Sequence, residues 1–176
     1  LDLTKERSIA ELAREVGTLT DSLDLLINNA GVLVNGERFG ELAAKTFTET
    51  FAINVVGPLL LVQALTPLLA RGEMAKIVNL TSELGSLTET KSFYTPSYAI
   101  SKAGINMVTR LLAAQLADAG ISVISVNPGW VKTDMGGARA PVTPLDSVGG
   151  MLKLTEGLQR RDSGRFFDYS GAALAW

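Results

Sequence analysis

Tyr98 and Lys102 stand four residues apart in Tyr98-Ala99-Ile100-Ser101-Lys102, a spacing that puts a phenol and an ammonium on one face of a helix. A free phenol titrates near pH ~10 and is protonated at neutral pH. A cation beside it favours the phenolate and lowers that pKa, which turns tyrosine into a usable proton donor and acceptor. Taken alone, the pair reads at least as well as a surface coincidence. Ser82 follows the apolar run Lys76-Ile77-Val78-Asn79-Leu80. A hydroxyl there would donate to a carbonyl on which negative charge develops, although Thr81, Ser82 and Ser86 also suit an ordinary strand-end turn. Asn28-Asn29-Ala30-Gly31 offers small residues for close backbone approach and an amide to brace neighbouring strands, or simply a strand exit. Asn54 is polar inside an apolar run and calls for a buried partner, which nearby backbone could supply.

Composition narrows the chemistry further. The 176 residues contain neither Cys nor His. Disulfides, thiol catalysis, thiolate or imidazole metal sites and a Ser-His-Asp triad are therefore excluded, and no metal site is expected. Proton transfer must fall to Tyr, Lys, Asp or Glu. A net charge of −2 and a pI near 5.2 give no electrostatic footprint for nucleic acid or an anionic membrane. The apolar stretch from Val55 to Ala70 is interrupted by Gly57, Pro58, Gln63 and Pro67 and is shorter than the ~20 residues of a spanning helix. A soluble, cytoplasmic protein is expected. The start at Leu1, without an initiator Met or a signal core, suggests that a preceding segment has been removed or left out.

The elements that must position these residues alternate. Ser8-Ile9-Ala10-Glu11 has a capping-box pattern, followed by apolar residues at helical spacing up to Gly17. Leu23–Asn28 reads as a buried parallel strand. Thr46–Leu69 reads as a long helix with an irregularity at Pro58. A second strand over 76–80, a helix from Tyr98 to Ala119 stopped at Gly120, and a third strand over 121–126 follow. A loop over 133–144, a helix from Leu145 to Leu158 and a last strand over 165–167 complete the chain. Alternation of this kind predicts parallel βαβ units in a doubly wound α/β sheet, as a single domain over residues 1–176. In such sheets ligands bind outside the C-terminal strand ends, so Asn28–Gly31, Thr81-Ser82 and Pro128-Gly129 should line one crevice.

The order of these motifs (Asn-Asn-Ala-Gly, Asn54, Ser82, Tyr-x-x-x-Lys, Pro-Gly-x-x-x-Thr) resembles the short-chain dehydrogenase/reductase family over essentially the whole chain. Leu80–Ser86, Pro128–Gly137 and Gly164–Asp168 resemble its sniffer-like carbonyl-reductase branch. The resemblance implies a Rossmann-like fold and an NAD(P)-dependent oxidoreductase that interconverts a carbonyl and an alcohol on a small, apolar substrate. It also implies a catalytic tetrad. Asn54 would hold a water of the proton relay, Ser82 would polarise the carbonyl and Tyr98 would be the general acid/base. Lys102 would bind the nicotinamide ribose and lower the pKa of Tyr98. Cofactor contacts are implied for Asp2, Leu3, Asn28, Ala30, Gly31, Tyr98, Lys102, Pro128, Gly129, Val131 and Thr133, with Asp2 at the adenine amine and Thr133 at a phosphate or amide. NADP is expected and NAD is the alternative. Phe93 and Tyr94 lie on an enlarged loop before Tyr98, and residues 135–152 are the expected lid. Two long helices, 46–69 and 98–119, suit a homodimer or homotetramer.

The family's opening strand, glycine-rich turn, helix and second strand are not among the 176 residues, whose first four resemble the end of its third strand. The fold is thus expected to be N-terminally incomplete, with the first two strands and first helix absent, one edge of the Leu23–Asn28 strand bare and cofactor affinity weak. A truncated, catalytically inactive paralogue acting as a binding or scaffold protein is the competing expectation. A hydrolase using Ser82 is set aside, for want of any histidine or Gly-x-Ser-x-Gly elbow.

Overall fold

The β-branched runs form four short strands: β1 (Leu25–Asn28), β2 (Lys76–Leu80), β3 (Ser122–Asn127) and β4 (Phe166–Asp168). In the computed structural model, which describes residues 1–176, they pair in parallel in the order β1-β2-β3-β4. Three helical crossovers make this possible, because parallel neighbours need long connections. The first is one continuous helix in three parts: α2 (Ala44–Phe51), a π turn (Ala52–Val56) and α3 (Gly57–Leu69). The others are α4 (Pro96–Gln115) and α5 (Pro144–Gly157). A leading helix, α1 (Glu6–Leu19), packs on α3.

Strand periodicity assigns the two faces. Ile77 and Val123 point into a core of 15 buried residues shared with α1, α3 and α4, while Val78, Ile124, Val126 and Phe167 point toward α5. Helices on both faces of a parallel sheet give the doubly wound, Rossmann-like arrangement expected. The helix 44–69 is long and apolar enough to cross a membrane by length and composition. It is longer than the sequence suggests, and its Leu61, Val62, Leu65 and Leu69 lie in the core.

Several boundaries differ from the sequence expectation, each for a local reason. Ser8 is not the cap of α1. Lys5 holds that position, and the Ser8 hydroxyl instead accepts from the Asp2 amide at 2.8 Å. Gly17 lies within α1, which runs to Leu19, because nothing forces a left-handed residue there. β1 is half-buried. Leu25 and Ile27 face the α5 side, where only β2 to β4 are covered, and both are exposed. β1 also has a partner on one side only. Residues 1–4 form a turn and not a strand end. α4 stops at Gln115, and a turn through left-handed Gly120 leads into β3.

The irregularity near Pro58 is the π turn. Proline has no amide to return to the carbonyl of Asn54 four residues earlier, and the Gly57 amide reaches back five residues to Ala52. The turn carries Asn54 and Val55 into the interior. After β2, a single 3-10 turn (Glu83–Gly85) lies against α4. A Cβ on Gly85 would stand 2.6 Å from the Lys102 carbonyl carbon and 2.9 Å from the Ala103 nitrogen, both backbone atoms. Replacing Gly85 by Ala must therefore separate α4 from the β2 exit. We expect Gly85→Ala to cost about 1–3 kcal/mol, read as a lowered Tm in thermal denaturation. An unchanged Tm would mean that the two segments separate freely.

Candidate active site

Tyr98 sits in the first turn of α4 and Lys102 one turn on, both buried. The Lys102 ammonium donates to the Leu80 carbonyl at 2.8 Å and lies over the Tyr98 ring, 5.4 Å from its centroid. No carboxylate lies within ion-pair distance of it. Burial accordingly pushes its pKa down to about 8. Burial also pushes the Tyr98 phenol up, and hydrogen bonding with Ser82 offsets only part of this. The phenol thus stands above its free pKa in this geometry, where the ammonium lies over the ring and desolvation prevails. Ser82 caps the 3-10 turn, its hydroxyl accepting from the Leu84 amide at 3.2 Å.

Asn54 is fully engaged. Its Oδ1 accepts from the Val32 amide at 2.8 Å, and its Nδ2 donates to the Val32 carbonyl at 2.9 Å and to Ser101 Oγ at 2.9 Å. The Ser101 hydroxyl donates to the Tyr98 carbonyl at 2.7 Å. Asn28, Asn79 and Ser125 are in register across β1, β2 and β3. Asn28 donates to Asn79, Asn79 to Thr109 of α4, and Ser125 to Thr109, each at 2.8 Å. The row clamps α4 beneath the strand ends.

Gly31 closes the space over the ammonium. A Cβ there would lie 3.4 Å from Asn54 Oδ1 and 3.5 Å from Lys102 Nζ, so its absence leaves a small cradle. Opposite, Gly129 has a left-handed φ of +80°, and a Cβ on it would meet the Tyr169 ring at 3.1 Å. Its amide bonds the Asn127 side chain at 3.1 Å, and the Pro128 carbonyl accepts from Ser147 of α5 at 2.7 Å.

A family model described as short chain dehydrogenase matches residues 1–142. The chain belongs to the short-chain dehydrogenase family. This family member is 40% identical over 157 residues to the C-signal of Myxococcus xanthus, covering 89% of this chain and 95% of that protein. It is 34% identical over 180 residues to a 1-hydroxy-2-glutathionyl-2-methyl-3-butene dehydrogenase of Rhodococcus sp., covering all of this chain and 78% of that one. Among solved structures it resembles an NADPH-bound carbonyl reductase from chicken fatty liver (TM-score 0.94, 37% identity) and the carbonyl reductase Sniffer of D. melanogaster (TM-score 0.96, 30% identity). All of this chain is covered in both cases, with 75% and 76% of those chains.

In this member of the family the residues singled out by sequence do not all behave alike. Gly31 stands beside Asn54 and Lys102, Lys102 lies over the Tyr98 ring, Tyr98 bonds Ser82, and buried Asn28 braces β1 on β2. Ala30 is exposed beside Gly31. Val131 pairs with Val142 in the wall after β3. Thr133 is exposed, and its hydroxyl accepts from the Gly136 amide at 3.1 Å. The Asp2 carboxylate is held by Thr4 and Lys5, which lower its pKa to about 2. These contacts lie within its own turn, and the carboxylate remains exposed. Leu3 packs against the core.

Sequence reasoning missed Ser101 and Val32, the partners of Asn54. It also missed Phe39, whose ring meets Phe93 edge-on at 5.5 Å. The unpaired polarity of Asn54 was the only signal for the first two.

Lys102 titrates at about 8 in the fold against 10.5 free. The unfolded chain therefore binds more protons between those values, and stability rises with pH across that window. Below pH 8 the full cost of the buried ammonium, roughly 3 kcal/mol, is carried. Thermal melts from pH 7 to 10 should show wild-type stability rising relative to Lys102→Met, in which the slope is lost. Parallel curves would mean that the ammonium is hydrated.

Proposed function

We propose that this short-chain dehydrogenase is an NADP-dependent oxidoreductase interconverting a carbonyl and an alcohol on a small apolar substrate, in one domain over residues 1–176. The carrying observation is the convergence of a phenol, a hydroxyl and a buried ammonium without a carboxylate beneath the Gly31 cradle. The NADPH named with the chicken carbonyl reductase favours that cofactor over NAD. The nicotinamide, when bound, supplies or accepts the hydride.

This chain's own residues do the rest. Lys102 donates one proton to Leu80 and has others free for ribose hydroxyls, with Gly31 and the Pro128–Gly129 turn as walls. Ser82 donates to the substrate oxygen. Tyr98, kept protonated by burial, delivers its proton to that oxygen in reduction and takes it back in oxidation. Because the Asn54 amide is committed to Val32 and Ser101, any relay water must be held by its main-chain oxygen, to which Pro58 brings no amide. The apolar substrate preference rests on exposed Phe39, Phe93, Tyr94 and Trp130, all on loops leaving the C-terminal strand ends, and on exposed Met135, Leu145, Val148 and Leu152 of the facing segment.

A second reading, a binding or signalling protein on the same fold, is favoured by one observation. It is the likeness to the C-signal of M. xanthus, 40% identical over 89% of this chain. Titration calorimetry with NADPH tests the first reading, which binding by this chain would favour over the second. In a protein that turns over, Tyr98→Phe should lower carbonyl reduction by at least 10²–10⁴-fold while leaving NADPH affinity within a few fold. Near wild-type turnover would remove Tyr98 from the chemistry.

A further inference from the structure

The helix that carries Tyr98 is not capped by its own N-terminal residue. Thr95 occupies that position with a left-handed φ of +39°, a costly conformation for a β-branched side chain. Its hydroxyl is buried without a partner. Pro96 has no amide, so the first free donor of α4 is the amide of Ser97. A carboxylate from a distant loop takes it: Glu37 Oε2 accepts from Ser97 N at 3.2 Å and from Ser97 Oγ at 2.8 Å.

An anion at a helix N-terminus is favourable, but this one leaves Oε1 buried and unpaired, a cost that a purely stabilising cap would avoid. Strain and unsatisfied polar atoms thus gather within three residues of Tyr98. Glu37 lies on the loop that also holds Gly31, Val32 and Phe39. That loop is fastened to Asn54 at Val32, to Phe93 at Phe39 and to Ser97 at Glu37.

We infer that Glu37 is a positioning residue, whose carboxylate seats the first turn of α4 and thereby sets the place of the Tyr98 hydroxyl relative to Ser82 and the Gly31 cradle. The inference rests on the assignment of Tyr98 as proton donor made above. Misplacing a catalytic group by about 1 Å costs up to ~10²-fold in rate, so a loosened cap should act on turnover more than on binding.

The deciding experiment needs no turnover. The chain is labelled with 3-fluorotyrosine, and the resonance of Tyr98 is assigned by its loss in Tyr98→Phe. Glu37→Ala should shift or broaden that resonance and leave those of Tyr94 and Tyr169 in place. Glu37→Gln keeps an acceptor oxygen for Ser97 and should restore the wild-type position. An unmoved Tyr98 resonance in Glu37→Ala, or a Glu37→Gln spectrum as displaced as that of the alanine variant, would overturn the inference.

With NADPH and 4-nitrobenzaldehyde as the probe, Glu37→Ala should lower kcat about tenfold or more, with KM within about twofold, and Glu37→Gln should recover most of kcat. A Tm loss in Glu37→Ala with kcat unchanged would also overturn it, leaving a merely structural cap. If the wild-type chain does not reduce the probe, the fluorine spectra still decide the role of Glu37.

Discussion

The crevice depends on the side-chain amide of Asn54, which uses both protons and its oxygen to join the loop after β1, the π turn and the first turns of α4. Each bond contributes only about 1 kcal/mol net, but leaving its buried partners unpaired would cost more than making them gains. The amide reaches those partners because the π turn carries residue 54 into the interior, and the turn itself follows from the missing amide of Pro58. A backbone irregularity in one helix therefore sets the separation between the Gly31 loop and the helix of Tyr98.

Below this junction, polar groups are spent on alignment. Thr109 of α4 accepts from Asn79 and Ser125, and Asn79 accepts from Asn28, so the helix is registered against three strands at one level. An apolar seam would hold α4 as firmly but would tolerate sliding, whereas hydrogen bonds with fixed directions do not. The Gly85 contact with the Lys102–Ala103 backbone sets the remaining distance, from α4 to the exit of β2.

Alignment brings an electrostatic cost. Lys102 is buried with one carbonyl and an aromatic ring for company, and the phenol beside it is desolvated too. Both groups are displaced toward their neutral forms. A carboxylate partner would relieve Lys102 but would also fill its free donors. The fold accepts the cost at one place and recovers it in the 15-residue core beneath.

Much of this is legible in the residues alone. The runs 76–80 and 121–126 declare strands because β-branched side chains recur in them, and the helices between them call for parallel pairing. Tyr98 and Lys102 declare a shared helical face because four residues is about one turn. The lack of His and Cys leaves proton transfer to Tyr, Lys, Asp or Glu.

Other features are properties of the packed chain. The partners of Asn54 and Glu37 lie 22 to 60 residues away, and no local period encodes such a distance. The capping pattern at Ser8 misleads because Asp2 folds back onto that hydroxyl. The direction of the Tyr98 pKa is likewise decided only in three dimensions. Sequence spacing brings the ammonium to the same face, but whether it meets the phenol oxygen or the ring, and how much water remains around both, depends on how α4 is pressed against the sheet.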